Sequence, residues 1–369
     1  MFSAQNKASS AYVAEIINEW NNAISLGSRD ESLKYQNKVE NLLDIMEDSI
    51  EVVSFFMLTD YYHGTVFNVK VNTSANSLKN IFSDGNFGLW REYYSVYFKG
   101  LIEFEKKQFT EAINFYDLAE QKLSVIPGAD ELKFADFHYK IAEAYYQIDQ
   151  YLFSISHVEE ARKIFLKHKE FQYEATECGI LIGANMYDMK RFEAAHKNYQ
   201  EALTEAKRFR YDKLISKIYH NLGLIHWQQE EMDKAIAYFK KALEDEIFEK
   251  KYGVQPVYMM SWILYGLGDR KEAFKLYEVG KKKAEETNNT EFMAKLNILY
   301  HTYEQTDVSK ILTELSVLED LNTWPDYSEI TVRTASYFEE NSDILMSHKF
   351  LKLHAFANTQ IKKITEALA

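Results

Sequence analysis

Proline is nearly missing from this chain, with three in 369 residues beside thirteen glycines. These residues punctuate the tight turns of sandwiches and barrels, so their scarcity argues against an all-β fold. The single cysteine, Cys178, excludes an internal disulfide and any multi-cysteine metal site, and it fits a reducing cytoplasm. No apolar run reaches membrane length, and the opening MFSAQNKASSAYVAEIINEW carries no apolar signal core. Positive charge is also short. Lys+Arg 43 against Asp+Glu 56 leaves −13, a balance that repels phosphate backbones and argues against direct nucleic-acid binding. Walker, GxGxxG, GxSxG and HExxH motifs are all absent. What is present is apolar: 46% hydrophobic and 15% aromatic residues, enough to offset the entropy of ordering. The expectation is a cytoplasmic, mostly helical protein without membrane segment, cofactor or metal. At this length it is built as two domains or a repeat array.

Self-similarity decides between those two. A small residue is followed by another 12 later, an aromatic or apolar one 4 further on, and a small one 3 beyond. The pattern reads Gly100, Ala112, Tyr116, Ala119, then Ala142, Ser154, Val158, Ala161. It returns as Gly183, Ala195, Tyr199, Ala202, as Gly223, Ala235, Phe239, Ala242, and as Ser261, Ala273, Tyr277, Gly280. The copies start 42, 41, 40 and 38 residues apart. Small residues let two antiparallel helices approach, and the aromatic fills the space beside them. This is the pattern of a tetratricopeptide repeat with lengthened links. Pro127-Gly128 and Pro256 are placed between repeats, where a missing donor is harmless. Past residue 285 the pattern weakens, although MAKLNILYHTYE and ITVRTASYFEE read as helices and SHKFLKLHAFANTQIKKITEAL as a closing one.

The N-terminal stretch does not follow the repeat. Val13, Ile16, Ile17, Trp20 and Ile24 form one helical stripe, ended at Gly27. A second helix carries Leu33, Val39, Leu42, Leu43 and Met46, and a third runs through Val52, Val53, Phe56 and Met57. The fold expected is all-α, an N-terminal three-helix bundle followed by a C-terminal tetratricopeptide-repeat superhelix. The bundle spans 1–70, a polar linker with a short helix at Leu78–Phe82 spans 71–92, and the repeats span 93–369.

Chemistry-bearing clusters are few. His220 and His226 fall on different helical faces, so a shared metal is not expected. Glu47, Asp48 and Glu51 read as a solvated face before an acid–base site. Cys178 reads as a small core residue. The groove is the better candidate, because the first helix of each pair lines the concave side of such arrays. Inward positions lie three and two residues before the small residue, and one, four and five after it. They give Tyr139, Glu143, Tyr146 and Gln147, then Tyr187 and Asp188, then His220, Asn221, Trp227 and Gln228, and finally Tyr258, Trp262 and Tyr265. Aromatic walls hold peptide side chains and an Asn amide pairs with peptide backbone. The acids favour a cationic residue or a free amine. The same aromatics also suit packing between repeats.

Three segments carry a family resemblance: Ile17-Asn18-Glu19-Trp20, YYSVYFKGLIEFEKKQFTEAINFYDLAEQKL (93–123) and FADFHYKIAEAYYQIDQYLFSISHVEEA (134–161). The chain resembles the Rap family of Bacillus, cytosolic receptors for short secreted Phr peptides. The resemblance implies a target-binding bundle, and repeats that bind a penta- or hexapeptide. Peptide binding draws the bundle onto the repeats and abolishes target binding. It marks Asp188 and Asn221, both already inward positions, as peptide anchors. With Glu143, Tyr146, Tyr187, Trp227, Tyr258 and Trp262 they make up the expected peptide site. Family members that dephosphorylate response regulators insert a Gln from the bundle. Here Ile50 stands in the matching stretch, and no Gln occurs between Gln36 and Gln108. Isoleucine cannot orient a water, so no catalytic residue is expected. The implied role is that of members that bind a helix-turn-helix transcriptional regulator without chemistry, an anti-repressor encoded on a plasmid or mobile element. A response-regulator aspartyl-phosphate phosphatase and a generic repeat scaffold stay open as alternatives, as does homo-oligomerisation.

Overall fold

The computed structural model describes residues 8–25, 28–43, 45–46, 49, 52, 55–56, 59–60, 63 and 87–367. Among them there is no strand, only helices, turns and one isolated bridge between Ala8 and Met46. The chain divides into two compact units, Met1–Ile164 and Phe165–Ala369. None of the described helices is long and apolar enough to cross a membrane.

In the first unit, α1 (Ser10–Ser25) buries the expected stripe, with Val13, Ile16, Ile17, Trp20 and Ile24 all inaccessible. α2 (Arg29–Leu43) packs on it through Val39 and Leu43. Its buried face also includes Ser32, whose hydroxyl accepts the Trp20 indole N–H at 2.9 Å. Two further polar bonds reach the helical residues that follow: Asn21 Nδ2 donates to Thr59 Oγ1 at 2.8 Å, and Gln36 Nε2 to Asp60 Oδ1 at 2.7 Å. Hydrophobic periodicity gives no hint of this polar seam. Gly27, Ile50, the acidic trio Glu47, Asp48 and Glu51, and the short helix at Leu78–Phe82 lie outside the described residues. Of the stretch 71–92, the last six residues belong to α3 (Phe87–Glu105).

α3 pairs with α4 (Phe109–Ser124), and α5 (Glu131–Gln147) with α6 (Tyr151–Phe165). One apolar cluster runs from Val13 and Trp20 through Tyr93, Tyr97 and Tyr116 to Phe137 and Ile141. The N-terminal helices and the first repeats therefore share a core, and the compact units divide inside the array.

The second unit continues with α7 (Gln172–Asp188), α8 (Phe192–Phe209), α9 (Asp212–Gln228) and α10 (Met232–Ala242). After the short α11 (Glu246–Tyr252) come α12 (Val254–Gly266) and α13 (Arg270–Glu286). Pro256 sits in the first turn of α12 rather than between repeats. A first-turn amide has no intrahelical acceptor, so the missing donor still costs nothing. Cys178 is wholly buried in α7, as a core residue.

The small residues act as expected. A Cβ built on Gly100, Gly183 or Gly223 would lie 2.5–2.6 Å from the ring of Tyr116, Tyr199 or Phe239. Where a hydroxyl takes the small position, it bonds across the pair: Ser154 Oγ donates to the Ala142 carbonyl and Ser261 Oγ to that of Ala273, both at 2.8 Å. Each pair turns at a residue with positive φ seven places after the small one: Lys107, Asp149, Lys190, Glu230 and Gly268. The same conformation recurs at Thr306 and Ser342. These two mark a sixth pair, α14 (Thr290–Tyr300) with α15 (Val308–Asp320), and a seventh, α16 (Trp324–Glu340) with α17 (Ile344–Ala367). A π-helical turn, His301–Gln305, closes α14. In the sixth pair Leu299, Ile311, Leu315 and Leu318 keep the spacing of 12, 4 and 3, but bulky residues replace the small ones. The array is longer than its sequence signature.

Candidate functional site

The first helices of the second unit bring one set of side chains together. Asp188, at the end of α7, and Asn221, in α9, both border the buried hydroxyl of Tyr199. Asn221 lies beside that hydroxyl and eases its ionisation, while burial and the neighbouring Asp188 hold the phenol well above its usual pKa. The ring that fills the gap in the third repeat thus also links the two expected anchors. Tyr187 is half-buried beside Asp188, with Gln228 near its hydroxyl; burial, then Glu329, pushes its pKa up. Gln228 Nε2 lies 3.5 Å from Glu329 Oε1, and the same oxygen accepts from Arg333 Nη2 at 3.2 Å.

Arg333 is the hub of the set. Its guanidinium lies 4.1 Å from the centroid of the Trp227 ring and 6.0 Å from that of Trp262. Trp262 meets Tyr258 edge-on at 5.6 Å. The Tyr258 hydroxyl is buried near Asp326 and Glu329, and its pKa is raised well above the usual value by that burial. Tyr303 stacks on Tyr265 at 4.7 Å and meets Tyr337 edge-on at 4.7 Å. Burial, then Glu340, pushes the Tyr303 phenol up to about 12.

Of the eight expected site residues, Tyr187, Asp188, Asn221, Trp227, Tyr258 and Trp262 belong to this connected set. Tyr187, Asp188 and Asn221 keep partial access, whereas Trp227, Tyr258 and Trp262 are buried in the unit's main core and offer little of their surface. Glu143 and Tyr146 lie in the first unit, each partly accessible on α5. There Glu143 pairs with Lys140 at 2.7 Å, and Tyr146 faces Tyr151 with ring centroids 6.2 Å apart. Asp136, on the same helix, is open to solvent yet walled by protein. That desolvation raises its pKa, and Glu143 adds to the effect. Among the described residues no three His, Cys, Asp or Glu side chains converge as a metal site.

The sequence reading passed over Glu329, Arg333 and Tyr303. Arg333 stands two residues before Ala335, the place Asn221 holds before Gly223. Tyr303 stands four after Leu299, the place held by Tyr187 and Trp227 in their repeats. Extending the period by two copies finds both, provided that bulky residues are allowed at the small positions. Glu329 carries no such repeat signal.

Helix pairs wedged at a small residue against an aromatic, and turned by a left-handed residue seven places on, are tetratricopeptide repeats. The tetratricopeptide repeat family model matches residues 176–245, which are α7 to α10 and the turn after them. Over nearly its whole length the chain is also similar to Bacillus subtilis proteins. It is 26% identical to the regulatory protein RapK, across 97% of this chain and 99% of that one. It is 25% identical to response regulator aspartate phosphatase I, across 95% and 92%. Among solved structures, the Rap conjugation gene regulator of plasmid pLS20, in complex with the Phr* peptide, is 40% identical with a TM-score of 0.71 over 99% of both chains. The chain belongs to the Rap family.

Proposed function

We propose that this chain is a quorum-sensing regulator that binds a helix-turn-helix transcriptional regulator and relieves the repression it exerts, as on conjugation genes. A short secreted peptide, bound along the first helices of the repeats, switches it off. The N-terminal helices, 1–70, hold the target and the repeats, 93–369, hold the peptide. The observation that carries this reading is the juxtaposition of Asp188 and Asn221 around Tyr199, an acid and an amide on neighbouring first helices. Such a pair suits an extended peptide, the amide for its backbone and the acid for a cation or free amine. End-to-end similarity to a conjugation regulator solved with its peptide supports the same reading.

A phosphatase reading draws on the relative named for that activity. Against it stands the bundle sequence, where Ile50 occupies the glutamine position and 36–108 encloses no other Gln. Without a group to position water, hydrolysis of an aspartyl phosphate loses its orientation.

The test pairs operator DNA with a candidate helix-turn-helix regulator. Added chain is expected to strip the regulator from its operator without binding DNA itself, and peptide to reverse the effect. Clear turnover of inorganic phosphate from a phosphorylated response regulator would contradict the reading.

A further inference from the structure

A cavity of about 220 Å³ opens in the second unit among α9, α12, α16 and the π-helical turn. Its walls include Trp227, Trp262, Tyr303, Tyr337 and Arg333, with Glu340 beside them. That volume lies below the roughly 300–1,000 Å³ of a whole small-molecule site and suits one side chain. Charge narrows the choice. Arg333 is already paired with Glu329, which leaves little attraction for an anion, and Glu340 repels one. Against a cation, the Trp227 face is already covered by the Arg333 guanidinium, 4.1 Å from the ring centroid. Planar walls favour a flat or long apolar group. Gly266, another wall residue, has nothing within 4 Å of where a Cβ would stand, so the space is open there.

We infer that this cavity is the specificity pocket of the peptide site and accepts one bulky uncharged side chain, aromatic or long and aliphatic. The inference rests on the proposed peptide-binding reading and names the residue class that the peptide must supply. The pocket adjoins that site, since Trp227 lines the cavity and Arg333 joins it, through Glu329, to Gln228 and Tyr187.

The test is affinity selection from a pooled pentapeptide and hexapeptide library on the full chain and two filled variants, Gly266→Phe and Ser336→Phe. Both sites line the cavity and are exposed, so the substitutions load the pocket from two sides without entering the core. Thermal unfolding of each variant checks that it folds. Wild type is expected to enrich peptides with Phe, Tyr, Leu or Met at one fixed position. At least one filled variant should bind those peptides tenfold or more weakly and tolerate Gly or Ala there. Unchanged affinity and preference in both variants would overturn the pocket and leave the peptide-binding reading standing. No retention by wild type would overturn both.

Discussion

Replacing Gly223 with valine is expected to cost the second unit about 3 kcal/mol, at the upper end for an overpacked core. A Cβ at this position would stand 2.6 Å and 2.7 Å from two carbons of the Phe239 ring. Phe239 is fully buried and cannot swing clear. Relief from a mid-helix glycine returns less than about 1 kcal/mol, so the steric term wins. The second repeat shows how the clash is avoided, because it places Ala142 and Val158, both buried, at the positions that Gly223 and Phe239 hold here. The pair Gly223→Ala with Phe239→Val copies that solution and should lose less than Gly223→Val. Urea unfolding, followed through the transition of the second unit, measures all three proteins. A Gly223→Val protein as stable as wild type would mean that the two helices do not meet as described.

Asp60→Asn is expected to flatten the pH dependence of the N-terminal helices and to remove a charge whose burial costs them about 3 kcal/mol at pH 7. The Asp60 carboxyl is 1% exposed and accepts one bond, from Gln36, while Oδ2 has no partner. Burial, opposed by that bond and reinforced by Glu40, raises its pKa from 3.8 to about 6. A carboxyl with a raised folded pKa binds more protons folded than unfolded. The contribution of Asp60 to stability is therefore highest below pH 3.8, falls as pH climbs to about 6, and is level above. His63, buried nearby with its own pKa lowered by desolvation and then by Arg29, adds an opposite slope, since a neutral folded imidazole favours higher pH. Asparagine keeps the acceptor for Gln36 and loses the charge, while its NH2 group in the unpartnered Oδ2 place gives back about 1–3 kcal/mol of the gain. Denaturation at pH 4, 5, 6 and 7 separates the two groups. Equal slopes for wild type and variant between pH 4 and 6 would show that Asp60 ionises as it does in water.

The fold was legible where packing imposes a residue size. Gly100, Gly183 and Gly223 must be small because a ring occupies the adjoining space, so they repeat in sequence as they do in structure. The sixth pair escaped because bulky Leu299, Ile311 and Leu318 stand at its three small positions, and the seventh because, after Ala335, Ser347 and Leu351, His354 takes the last small position. Asp188, Asn221 and Trp227 could be placed by repeat position alone. Arg333 could not, since its repeat was unrecognised and its partner Glu329 lies 101 residues from Gln228. The seam of Ser32, Thr59 and Asp60 was hidden for another reason. Hydrophobic periodicity assigns polar residues to solvent, and only tertiary pairing reveals that these three are buried.

Calorimetry with peptides selected by the wild-type chain tests the central claim most directly, by comparing wild type, Asn221→Ala and Asp188→Ala. Loss of the amide is expected to weaken binding by about 0.5–1.5 kcal/mol, and loss of the charged acceptor by about 1.5–3 kcal/mol. Tyr199 packs in the third repeat, so thermal unfolding of both variants accompanies the titrations. The account predicts weakened binding in proteins that remain folded. Equal affinities for all three would contradict it.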